Sequence, residues 1–91
     1  MNPSKTPKIA PDLIWRLLDS NAVVVSPRVG EVRVLNGMGT VIWQLLVDQN
    51  TPAEIVDHLV ENFAVTREEA SSDLQTFFAD LTERGVLIWE S

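Results

Sequence analysis

The sequence predicts an α+β domain, a three-stranded antiparallel sheet followed by a three-helix, winged-helix-like bundle. Three observations carry this. The first 36 residues hold short β-branched runs divided by turn residues. The rest holds three apolar stretches of helical period, each opened by a capping side chain. Finally, 91 residues, 45% of them hydrophobic and with three Trp and three Phe, suffice for one core without staples.

Met1 to Pro11 has three prolines, two lysines and no apolar stretch, so residues 1–10 read as a flexible lead-in rather than a signal peptide. Residues 11–91 read as a single domain. Leu13 to Leu18 is an apolar run broken by Arg16, and Ala22 to Val25 is short and β-branched. Asp19-Ser20-Asn21 between them is turn chemistry. Pro27 and Gly30 bracket a second turn, after which Glu31-Val32-Arg33-Val34 alternates polar and apolar, as a half-buried strand does. Three strands with tight turns form a meander, whose two edges each carry a row of unpaired N–H and C=O groups.

Asn36 is placed to cap a helix reaching about Val47. Its main stripe is Met38, Val41, Ile42, Leu45 and Leu46, with Trp43 and Val47 on the other side. A helix apolar nearly all round lies buried, here between the sheet and the other helices. Thr51-Pro52-Ala53-Glu54 is a capping box with proline at the first helical position, and the face behind it is Ile55, Val56, Leu59, Val60 and Phe63. Thr66-Arg67-Glu68-Glu69 is a second capping box. The helix it opens runs to about Arg84, turns Ala70, Leu74, Phe77 and Leu81 inward, and meets Gly85 as its cap. Val86 to Trp89 is a short extended tail.

Charge disfavours the obvious use of such a bundle. Between Thr66 and Arg84 two arginines face five carboxylates, a net of minus three, and the whole chain carries minus six. A helix lying in a DNA groove must neutralise phosphates, and this one repels them. Residues 1–36 carry plus two and residues 37–91 minus eight, which solvated faces and acidic first turns explain. The sharper alternative is an acidic surface kept for a basic partner.

Catalytic chemistry is missing. With no cysteine there is no disulfide, no thiolate and no cysteine-bound metal, and a reducing cytoplasm is the simplest home. His58 stands among Glu54 and Glu61 on a helix without convergent ligands, as a solvated residue does. Gly37-Met38-Gly39 lacks the later Gly and Lys of a phosphate loop. Glu68-Glu69 belongs to a first helical turn. No cofactor is implied, and no apolar run spans a membrane.

An ordered set of segments remains. Glu31-Val32-Arg33-Val34-Leu35-Asn36 leads into Val41-Ile42-Trp43-Gln44-Leu45-Leu46. After Thr51-Pro52-Ala53-Glu54-Ile55 comes Asp73-Leu74-Gln75-Thr76-Phe77-Phe78-Ala79-Asp80-Leu81, closed by Arg84-Gly85-Val86-Leu87. Over residues 11–88 this resembles the PqqD family, the peptide-recognition domain of pathways that modify ribosomally made peptides. The resemblance implies a non-catalytic protein that binds the leader of a precursor peptide as an added strand beside the third helix. It also implies which strand edge accepts the leader, which the sequence does not say.

On that resemblance the accepting edge is Glu31, Val32, Arg33, Val34 and Leu35. The cleft walls are Val32, Val34 and Leu35 with Ala70, Leu74, Phe77, Phe78 and Leu81, and Asp73 and Asp80 stand where basic leader residues would meet them. For Leu74, Phe77 and Leu81 plain core is the main role expected of such a stripe. Phe78, off the stripe at about 100° per residue, is open to core or groove. The chain starts at Met1 and ends just after the domain, which suggests a free-standing member. The Ile-Trp-x-Leu-Leu helix is more similar to lasso-peptide members, whose partner is a leader peptidase, than to those serving a radical SAM enzyme in pyrroloquinoline quinone assembly. Homodimerisation through the sheet edge and winged-helix DNA binding are the remaining alternatives.

Overall fold

The computed structural model describes residues 7–27 and 30–89. Its elements are β1 (Lys8–Ile9), β2 (Ile14–Leu18), β3 (Asn21–Ser26), β4 (Glu31–Val34), α1 (Gly37–Val47), α2 (Pro52–Asn62), α3 (Arg67–Glu83) and β5 (Leu87–Ile88). Strands β2, β3 and β4 form the expected antiparallel meander in that order. A second, two-stranded sheet pairs β1 with β5, Lys8 opposite Ile88 and Ile9 opposite Leu87. The expected lead-in therefore enters the fold from Pro7 onward, where the C-terminal tail gives its backbone a partner. Residues 1–6 lie outside the described residues.

Local chemistry explains the turns. Leu18 pairs with Asn21, so Asp19 and Ser20 form a two-residue hairpin loop, both at positive φ (51° and 70°). That is the geometry of a type I′ turn, whose twist matches the strands it joins. Gly30, at φ 73°, closes the next hairpin before Glu31 pairs with Ser26.

Each helix start is held by its cap. The Asn36 side chain accepts from the Gly39 N–H, and Thr51–Glu54 and Thr66–Glu69 both form reciprocal capping boxes. At the end of α3 the Val86 N–H donates to the Leu81 carbonyl and the Gly85 N–H to that of Thr82, with Gly85 at φ 76°. This pair of bonds satisfies carbonyls that the helix leaves orphaned. The same motif ends α1, but there Gln49 occupies the left-handed position, at φ 67°.

The core lies between the inner face of the sheet and the helices. Ala22 and Val24 of β3 meet Ile42, Trp43 and Leu46 of α1, Ile55 and Leu59 of α2, and Ala70, Leu74, Phe78 and Leu81 of α3. Val86 and Leu87 close it from the C-terminal side. Trp15 packs edge-on against the fully buried Trp43, ring centroids 5.9 Å apart. One buried polar group joins helix to sheet: the Thr40 hydroxyl accepts from the Ala22 N–H (2.9 Å) and donates to the Leu35 carbonyl (3.2 Å).

Candidate binding groove between the edge strand and the third helix

Register decides what each residue of β4 faces. Val24 stands opposite Arg33, and Val24 is buried, so Arg33 turns inward. Val32 and Val34 turn outward with their partners Val25 and Val23, and are 66% and 64% exposed. The alternation read from the sequence is present with its faces exchanged: the valines form no cleft wall. Leu35 forms none either, because it is buried in the core with its N–H donating to the Ala22 carbonyl.

Among the described residues no strand covers the outer edge of β4. Its inward-facing Arg33 reaches α3, where its Nη2 lies 2.5 Å from Asp80 Oδ2, and the other Asp80 oxygen takes Arg84 Nε at 3.1 Å. Between edge and helix runs an open groove of about 570 Å³. The strand contributes Arg33, α1 and its cap contribute Asn36, Met38, Gly39 and Ile42, and α3 contributes Asp73, Thr76, Phe77 and Asp80. An open backbone edge beside a groove with an aromatic ring and charged rims can pair with an extended chain and sort its side chains.

Of the two adjacent phenylalanines, Phe77, expected to turn inward, lines the groove, and Phe78, open to either role in the sequence, is core. Phe78 is 2% exposed and stacks edge-on against Trp89, centroids 5.6 Å apart, while the Trp89 indole donates to Thr82 Oγ1. Phe77 is half-buried and lines the groove. The buried row is Ala70, Leu74, Phe78 and Leu81, so the helix is turned toward the β5 side relative to the row containing Phe77. Ala70, Leu74, Phe78 and Leu81 are accordingly core rather than groove walls. Asp73 and Asp80 do lie on the groove flank with Phe77.

The α1 contribution was not anticipated. A Cβ on Gly39 would stand 3.3 Å from Phe77 Cε2 and 3.2 Å from Asn36 Oδ1, so the ring rests almost on bare backbone. The signal was Gly37-Met38-Gly39 itself, since two glycines in a first helical turn cost stability without a local reason.

A second cleft of about 610 Å³ lies by β2, lined by Pro7, Lys8, Ile9, Trp15, Leu46 and Val47. Although larger, it has the β1 segment in its wall, whereas the β4 groove opens directly onto an unpaired edge. His58 lines a third depression with Asp48 and Gln44, and no metal-binding cluster of three ligands occurs among the described residues.

The family model described as coenzyme PQQ synthesis protein D (PqqD) matches residues 21–87. No curated protein matches the sequence. Among solved structures, TbiB1 in complex with the TbiA(beta) leader peptide is 29% identical with a TM-score of 0.85, covering 88% of this chain and 93% of that one. Lasso peptide synthetase B1 complexed with the leader peptide is 27% identical with a TM-score of 0.84, covering 90% and 96%.

Proposed function

The chain belongs to the PqqD family, and from that premise we propose that it is a non-catalytic recognition protein for the leader of a ribosomally made precursor peptide. The leader adds as a strand along the outer edge of Glu31–Val34 and sends alternate side chains into the groove beside α3. Main-chain hydrogen bonds supply affinity with little sequence demand, and Phe77, Asp73, Arg33 and Met38 supply selectivity. Glu31, Val32 and Val34 take part through backbone, and the core residues behind Phe77 hold it in place. One observation carries the reading: an uncovered strand edge is tied by Arg33–Asp80 to a helix bearing a half-exposed aromatic ring.

The bound leader is then delivered to a maturation enzyme in the cytoplasm. A lasso-peptide leader peptidase is the reading favoured by the two leader complexes of similar structure. A radical SAM partner in pyrroloquinoline quinone assembly is the second reading, favoured by the description of the matching family model. Nucleic acid is not the ligand, given the acidic third helix. No helix among the described residues is long and apolar enough to cross a membrane. A homodimer would use the same edge as the leader, so the two states exclude each other.

The test is fluorescence anisotropy with the labelled leader of the neighbouring precursor gene at low and high salt. Saturable binding that outlasts high salt, and that the core peptide lacks, is the expected result. Binding to duplex DNA instead, lost over decades as salt rises, would overturn it.

A further inference from the structure

The two carboxylates on the groove flank of α3 are not equivalent. Asp80 is compensated twice, by Arg33 from the edge strand and by Arg84 one turn along its own helix. Its carboxylate fastens β4 to α3, and an incoming cation would have to displace an existing partner. Asp73 lies two turns earlier, exposed, with no hydrogen bond or ion pair among the described residues. It is an uncompensated charge on the wall of a groove whose other two ionic groups, Arg33 and Asp80, are paired with each other.

Spacing adds a second constraint. Asp73 and Phe77 are one helical turn apart, about 6 Å along the axis. The inward side chains of an extended strand recur about every 6.7 Å. A strand lying along α3 thus sets two successive inward side chains opposite these two residues.

We infer that the groove selects its peptide by one basic side chain opposite Asp73, two residues along the added strand from an apolar side chain seated on Phe77. This rests on the leader-binding reading and narrows it to a recognisable element, basic–x–apolar in one strand direction or apolar–x–basic in the other. Asp80 does not select. Because Asp73 is exposed, the charge fixes register more than it supplies affinity, and removing it weakens binding about two- to fivefold.

The experiment uses the full chain and labelled peptides built on the neighbouring gene's leader, in which each x-separated pair is replaced by Lys-x-Leu, Glu-x-Leu, Leu-x-Lys or Leu-x-Leu. Wild type is expected to bind one Lys-containing pair best, at one position and in one order, with a preference that fades as salt screens the pair. Asp73→Asn should lose that preference while keeping its thermal unfolding profile. Asp73→Lys should invert it, taking Glu at the same position over Lys. An unchanged Kd for Asp73→Asn across all peptides, or an Asp73→Lys protein that still prefers Lys, overturns the inference and leaves leader binding standing. If wild type binds no peptide saturably, the leader reading itself fails and takes the inference with it.

Discussion

Phe77 and Phe78 are adjacent, chemically identical and differently employed. Phe78 fills the core between Leu74, Leu81 and Trp89, so Phe78→Ala leaves a cavity costing about 3–5 kcal/mol. In a domain of this size that is a large part of the total stability, and chemical denaturation should show it directly. Phe77→Ala removes a half-exposed ring and should leave the unfolding transition nearly in place while leader affinity in anisotropy falls about tenfold or more. If Phe78→Ala instead folded normally and lost only binding, the groove would be assigned to the wrong ring. Thr40 makes a separate case. Replacing it with the isosteric valine strands the Ala22 N–H and the Leu35 carbonyl in the core, at a cost of about 1–3 kcal/mol measurable as a lower urea midpoint.

The elements repeat one termination motif with different residues. Gly85 ends α3 in the left-handed region, where glycine carries no Cβ penalty. Gln49 ends α1 in that same region with a side chain attached, held by the Gln49 N–H bond to Leu46 and the Asn50 N–H bond to Leu45. Gln49→Gly should therefore stabilise the protein by about 1 kcal/mol, read as a higher denaturant midpoint with an unchanged slope. The left-handed Asp19–Ser20 hairpin shows that the chain accepts such geometry without glycine where strand twist demands it. Element β4 shows a different use of a short element: its outer edge has no strand partner among the described residues, while its inward-facing Arg33 ties it to α3.

For the whole molecule, an open edge is a liability unless something occupies it. Leader binding is the occupant argued above, and it should stabilise the fold by mass action. At a leader concentration about a hundred times Kd the gain is roughly 2.7 kcal/mol, which raises Tm by about 10 °C or more in a domain this small. A thermal melt with and without peptide checks this, and an unchanged Tm at saturating peptide would count against binding to the native state. The net charge of minus six also acts at this scale, as self-repulsion that favours solubility and as repulsion of polyanions.

Reading the chain alone determined the elements. Hairpin turns, capping boxes and apolar periods are local signals, set by residues within four or five positions of each other, and the sheet and three helices follow them. It also determined that α3 is acidic and that no cysteine is present to act as nucleophile or metal ligand. Rotation and partnership were decided only in the tertiary structure. A row through Phe77 and a row through Phe78 have the same helical period, and the packing of α3 against α2, β5 and Trp89 selects between them. Alternation in Glu31–Val34 is symmetric under exchange of faces, and only its pairing with Ala22–Ser26 sends Arg33 inward. The short β1–β5 sheet joins Lys8 to Ile88, too far apart along the chain for any local signal to announce. Period states that a face exists; the contact across space states which face it is.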